Sequence, residues 1–158
     1  MGESEGAPVG PVDSLAVPRF AGPETYARLP TLEKTGRAAV AILGVPFDSG
    51  VVYRPGARFG PAAIRAGSKL IRPYNAWTGT LPFSSRQVAD AGDVAFPPFS
   101  LAKAIGQLER AAVSTLDSAA PLLALDADPT LTLPLLRPSA RPHRPLALLS
   151  FAPPPTTS

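Results

Sequence analysis

The 158-residue sequence contains no cysteine and a single histidine. Without thiols there is no disulfide framework and no thiolate metal site, which suits a reducing compartment. The lone histidine, His143, lies among Arg141, Pro142, Arg144 and Pro145 and reads as an exposed loop residue. No Cys-His nucleophilic set is possible without cysteine, and one histidine in such a setting leaves little from which to build a Ser-His-Asp set. No apolar run approaches the length of a membrane span. The start, Met1 to Gly10, is acidic and has no basic and apolar leader pattern. The net charge of +3 comes from arginines dispersed along the chain, a solvated surface and not a nucleic-acid footprint. These absences describe a cytoplasmic protein with no membrane and no nucleic-acid partner.

What is present is the composition of a folded domain. Hydrophobic residues make up 45% and the mean hydropathy is slightly positive, which argues against disorder. Proline is abundant, at 21 residues, and because it suppresses helix interiors and central strands it marks where the chain is regular. Residues 1–36, punctuated by Pro8, Pro11, Pro18, Pro23 and Pro30, read as an irregular arm with a turn of helix at Glu24 to Leu29. Ala38 to Val45 is a continuous apolar run stopped by Pro46, as expected of a strand buried on both faces. Pro61 starts a helix through Leu70. Gln87 to Ala91 reads as a short strand ended by Gly92. Ser100 caps a helix over Leu101 to Asp117, with Leu101, Ile105, Leu108, Ala112 and Leu116 on one face. Pro121 to Leu125 is a further strand, Thr130 to Arg137 a helix weakened by Pro134, and Leu146 to Leu149 a last candidate strand. Strands alternating with helices predict an α/β protein built on a doubly wound parallel sheet. Ligands of such sheets sit beyond the carboxyl ends of the strands, which directs attention to the segments after Val45, Leu125 and Leu149.

The first of these segments reads Gly44-Val-Pro-Phe-Asp-Ser-Gly50, then Arg54-Pro-Gly-Ala-Arg58-Phe-Gly-Pro-Ala-Ala-Ile-Arg65. It is a glycine-rich loop carrying Asp48, Arg54 and Arg58 and feeding a proline-started helix that carries Arg65. Guanidinium forks of this kind pin carboxylates or backbone carbonyls, so the loop is a structural element, a subunit contact or a substrate contact. Asp90 and Asp93 flank Gly92 and suit turn capping. Asp126 and Asp128 form an Asp-x-Asp pair after a strand, at best a weak, hydrated cation site when no histidine accompanies it.

The 44–65 string closely resembles the opening of the ureohydrolase family, which includes agmatinase, guanidinobutyrase and arginase. Ser68-Lys-Leu-Ile-Arg-Pro-Tyr-Asn75 and Val88-Ala-Asp-Ala-Gly-Asp-Val94 are similar to the agmatinase or guanidinobutyrase branch in particular, and the likeness extends over about residues 18–152. It implies a partial three-layer α/β/α sheet of the arginase type. The implied organisation is an arm over 1–36, the N-terminal half of a ureohydrolase domain over 37–151 and a proline-rich tail over 152–158. It also implies hydrolysis of a guanidino substrate, agmatine or guanidinobutyrate, to urea and an amine, a step in polyamine metabolism. The family uses two manganese ions and usually forms homo-oligomers.

The ligand blocks of the family are Gly-Gly-Asp-His, Asp-Ala-His-x-Asp and a later Asp-x-Asp. The first corresponds here to Asp126-Ala-Asp-Pro129, so that Pro129 stands at a histidine ligand position while Asp128 keeps the supporting aspartate. In the second, Ala152, Pro154 and Thr156 stand where the family has Asp, His and Asp. The third has no counterpart. The expectation is a truncated, agmatinase-like chain that binds no manganese and is catalytically inactive, with a non-catalytic assembly or binding partner as the alternative. Half a sheet also leaves an apolar edge, and marginal folding is expected of it.

Overall fold

A computed structural model describes residues 7–51, 54–97, 100–119, 121–126, 128–140, 147 and 149. Three parallel strands form its centre: β1 (Val40–Gly44), β2 (Val88–Asp93) and β3 (Leu122–Leu125), in the order β2-β1-β3. The short helices α1 (Leu32–Thr35) and α3 (Pro82–Ser85) and the longer α2 (Gly60–Ser68), α4 (Leu101–Ser118) and α5 (Thr132–Ala140) surround them. The sheet is therefore parallel and the architecture α/β, with a core on each face of the sheet. Ala41 pairs with Ala89 on one side and Leu122 on the other, so β1 is the central strand, and residues 41–45 are buried as its apolar run requires.

Successive β1 side chains point to opposite faces, and two cores follow. Leu43 and Val45 pack with Phe47, Val94, Ala104, Leu108 and Leu131 beneath α4 and α5. Ile42 packs on the other face with Ala27 and Leu29 of the arm. Phe47 meets Phe96 edge-on, with ring centroids 5.4 Å apart, the arrangement the aromatic quadrupole favours.

Several boundaries differ from the sequence expectation, each for a local reason. β2 runs through Gly92 to Asp93 because a register irregularity between Ile42 and Gly44 absorbs the glycine, at φ 76°. The buried line of α4 is Ala104, Leu108, Ala112 and Thr115, turned away from Leu101, which is 42% exposed. Ala104 and Ala112 are fully buried on this line, and Thr115 satisfies its hydroxyl on the Ala111 carbonyl at 2.8 Å. The Ser100 cap holds, accepting from the Lys103 amide. α5 spans Thr132–Ala140, later than expected, so that Pro134 falls in the first turn where proline is tolerated and Pro138 lies inside. Glu24 to Leu29 forms only a 3-10 turn, Tyr26–Arg28, with φ of 49° at Ala27 and 61° at Arg28. The arm also carries α1, capped by the Thr31 hydroxyl. Of residues 146–149, only Ala147 and Leu149 are described, and neither lies in a strand. Among the described residues no strand pairs with the outer edge of β3, and no helix is long and apolar enough to cross a membrane.

Candidate functional site

The parallel strands deliver their carboxyl ends, and the segments that follow them, to one edge of the sheet. After β1 the chain enters the glycine-rich loop. Asp48, only 3% exposed, accepts the Arg58 Nε at 2.6 Å and the Gly56 amide at 2.7 Å, and a second Arg58 nitrogen pairs with the same carboxylate. Arg58 thus reaches back ten residues, past the turn at Gly56 with its φ of 137°, to close the loop on itself. The Arg58 side chain, outweighing burial and helped by the Gly56 and Arg58 amides, holds the Asp48 carboxyl at about 2. Arg54 lies exposed in the same loop.

A second cluster joins α2 to β2. Arg65 donates from Nε to Asp90 at 2.8 Å, from Nη2 to Asp90 at 2.9 Å and to the Gly92 carbonyl at 3.0 Å, and from Nη1 to Asp93. Asp90 also accepts the Tyr26 amide at 2.6 Å and the Gly92 amide at 2.8 Å. Burial opposes its ionisation, but the guanidinium and these amides win and leave the carboxyl below its ordinary value. For Arg65, burial pulls the other way from its carboxylate partners, which prevail and push it up. Gly44 makes room for the cluster: a Cβ there would lie 1.8 Å from an Asp93 oxygen.

The third cluster follows β3. Asp128, 1% exposed, accepts the Gly50 amide at 2.9 Å with one oxygen and the Thr130 amide at 3.0 Å with the other. It thereby caps the 3-10 turn Pro129–Leu131 and ties that turn to the loop after β1, 78 residues away. Gly50 is required by the approach, since a Cβ there would lie 2.2 Å from the Thr130 hydroxyl.

The expected residues are therefore gathered, but into three structural clusters. Asp48 and Arg58 form one, Arg65, Asp90 and Asp93 another, and Asp128 a third with Gly50, a partner that the glycine-rich pattern of the loop alone did not single out. Asp90 does cap its turn as expected, and also takes the Arg65 fork. A cavity of about 360 Å³ opens beside β2, lined by Glu24, Thr25, Thr31, Arg65, Asp90 and Asp93 among others; Asp48, Asp128 and Pro129 do not line it. Pro129 offers no donor atom from its side chain, and both Asp128 oxygens already hold amides. Among the described residues, no group of three or more His, Asp or Glu side chains is placed to hold a metal ion. The donor set among the described residues does not fit a two-metal centre, which needs several carboxylates and imidazoles around each ion. Ala152, Pro154, Thr156 and His143 lie outside the described residues.

The two low-lying carboxylates predict an acid-sensitive fold. Asp48 and Asp90 are depressed in the folded chain from an ordinary value of 3.8. Their contribution is complete above that value and is lost as pH falls through the folded values. Thermal unfolding followed between pH 5 and 2 is expected to show a falling midpoint that begins near pH 4, and Asp48→Asn is expected to flatten that acid limb.

Comparison with known proteins places these clusters in context. A model of the arginase family matches residues 38–152. A guanidinobutyrase of Pseudomonas aeruginosa is 41% identical over 142 residues, covering 88% of this chain and 44% of that protein. A mitochondrial agmatinase of Gallus gallus is 37% identical over 139 residues, covering 88% of this chain and 41% of that protein. The chain thus spans less than half the length of the curated relatives it matches. Among solved structures, proclavaminate amidino hydrolase from Streptomyces clavuligerus superposes with a TM-score of 0.77 at 38% identity, covering 82% of this chain and 43% of that one. A Trypanosoma cruzi formiminoglutamase variant solved with manganese does so with a TM-score of 0.59 at 27% identity, covering 68% of this chain and 36% of that one.

Proposed function

This chain belongs to the arginase family, and on that premise we propose that it is the N-terminal half of a ureohydrolase domain whose own residues perform no hydrolysis. The lineage reaction is the cleavage of a guanidino group to urea and an amine, with agmatine or guanidinobutyrate as the substrate class. The observation that carries the inactive reading is Pro129, at a histidine ligand position of the family, beside an Asp128 carboxylate that accepts the Gly50 and Thr130 amides and so has a structural task. The sequence at Ala152, Pro154 and Thr156 supports it, because none of these side chains replaces a carboxylate or imidazole as a manganese ligand. No hydrolytic step is assigned to the residues of this chain.

One observation favours a non-catalytic role for the polypeptide as it reads here. Its loops are held by carboxylate–amide and carboxylate–guanidinium contacts that need no metal, so they retain their shape as a binding or assembly surface. Self-association of the whole protein is part of this proposal, from the habit of the family.

The test is urea release by the purified chain supplied with manganese and either agmatine or 4-guanidinobutyrate. The expected rate equals that of buffer with manganese. Sustained, manganese-dependent urea formation removes the inactive reading.

A further inference from the structure

The N-terminal arm and the segment leaving α2 enclose a small cavity of about 80 Å³. Its charged lining is mainly of one sign. Arg19, Arg28 and Lys69 contribute three cations, against the single carboxylate of Asp13 among the described residues. Asp13 is exposed, and its Oδ1 accepts the Leu15 amide at 2.9 Å. Arg28 is only 3% exposed, yet no carboxylate among the described residues pairs with it. Its Nη2 donates to the Val17 carbonyl at 2.7 Å, and its buried Nε finds no acceptor among the described residues. Arg19 is also without a carboxylate partner there, its Nη1 donating to the Leu70 and Ile71 carbonyls at 3.2 and 2.8 Å. Lys69 pairs with Glu24, whose side chain is 80% exposed and screened by water.

Two guanidinium groups satisfied only by neutral carbonyls destabilise a fold that has nothing further to gain from them. A guanidinium keeps its charge when buried, and a buried charge calls for a countercharge. The backbone is strained to set Arg28 there, since it and Ala27 take left-handed φ values of 61° and 49°. Such strain in residues other than glycine persists where the surroundings enforce it, and ligand clamps are one such place. The surroundings do enforce it: the Arg28 amide donates to the Thr25 carbonyl, and the Arg28 carbonyl accepts the Val12 amide, each at 3.1 Å. Size and charge then select the ligand. A cavity of about 80 Å³ is a few times the share of one water, about 30 Å³, which is room for one oxyanion group. Three cations less one carboxylate leave a formal +2 on the lining, which a phosphate-type dianion balances and a monocarboxylate does not. Arginine forks suit phosphate oxygens, and the exposed Asp13 disfavours a polyanion such as nucleic acid.

We infer that Arg19, Arg28 and Lys69 form a binding site for a phosphate-type dianion. Asp128 and Pro129 do not line it, and the inference is independent of whether the chain hydrolyses a guanidino group.

The test is isothermal titration calorimetry of inorganic phosphate into the full chain at pH 8, with ionic strength held constant by chloride because exposed charges are screened by salt. The expected result is saturable binding at one equivalent. Arg19→Gln, at a half-buried position, is expected to weaken it by about tenfold or more, as loss of a charge-assisted contact does. Arg110→Gln, at an exposed position on α4, is expected to leave it unchanged. Arg28→Lys keeps the charge but not the fork and is expected to weaken binding as well. Circular dichroism checks the fold of each variant, and Arg19→Gln carries the conclusion where the buried Arg28→Lys does not fold. Acetate, titrated over the same range, is expected to bind about tenfold more weakly or not at all. Heats that do not saturate, or binding that Arg19→Gln and Arg110→Gln affect alike, overturn the site. Acetate bound as tightly as phosphate overturns the dianion.

Discussion

Replacing Arg65 by methionine is expected to remove about 3–5 kcal/mol of folding stability, the usual penalty for breaking a buried ion pair from one side. The size follows from what is left behind. The Arg65 side chain is 8% exposed and that of Asp90 is 1% exposed, so water does not replace the lost guanidinium. The Tyr26 and Gly92 amides continue to hold the Asp90 carboxylate, which keeps it in place and without a countercharge. Asp93 adds little, since its side chain is 43% exposed and screened. Arg65→Lys keeps the charge but not the two-pronged geometry and is expected to fall between methionine and the natural residue. Arg65→Met combined with Asp90→Asn is expected to recover part of the loss, because no buried charge then stands alone. Urea denaturation of the four proteins measures this. A loss below about 1 kcal/mol for Arg65→Met, the range of exposed pairs, contradicts the account of this cluster.

The second large effect is expected at Asp128. Asp128→Ala removes the cap of the turn at Pro129 and the acceptor for the Gly50 amide, two hydrogen bonds to a carboxylate at once. Loss of a cap costs about 1 kcal/mol, and stranding partly buried donors costs about 1–3 kcal/mol more. The sum, about 2–3 kcal/mol after water reaches the exposed Thr130, is accompanied by a local signature. Hydrogen exchange at Gly50 is expected to accelerate more than that of residues 40–44 in the same strand and loop. Asp128→Asn keeps one acceptor oxygen and is expected to lose about half as much. Uniform acceleration across β1 and its loop would show that the tie between the two loops is not what Asp128 provides.

The frame of the fold was legible because its signals are local and strong. An unbroken apolar run before Pro46 marks β1, a proline at a first turn marks α2, and a serine cap with helical spacing marks α4. The features that were missed depend on partners far along the chain. Gly92 does not end β2, because the irregularity that accommodates it lies in the pairing with β1. The left-handed backbone at Ala27 and Arg28 carries no local mark, since neither residue favours it. It is held by the tertiary contact of the Ala27 amide with the Ser68 hydroxyl at 2.7 Å.

The candidate site divides in the same way. Asp48, Arg58, Arg65, Asp90 and Asp93 stood out as charged residues around glycines, and the clusters they form are those a guanidinium fork is suited to make. Which arginine takes which carboxylate was not readable, because Arg65 and Asp90 are 25 residues apart and meet only when α2 packs beside β2. The Asp128–Gly50 contact spans 78 residues and was invisible for the same reason. Pro129, by contrast, declared itself in the sequence: where the family resemblance places an imidazole, a pyrrolidine ring has no lone pair to offer.

That substitution is the centre of the account, and manganese binding tests it most directly. Free Mn²⁺ titrated into the full chain and followed by electron paramagnetic resonance is expected to show no saturable site, with the signal rising as it does in buffer. Two equivalents of Mn²⁺ held stoichiometrically by the chain would contradict the account at its root.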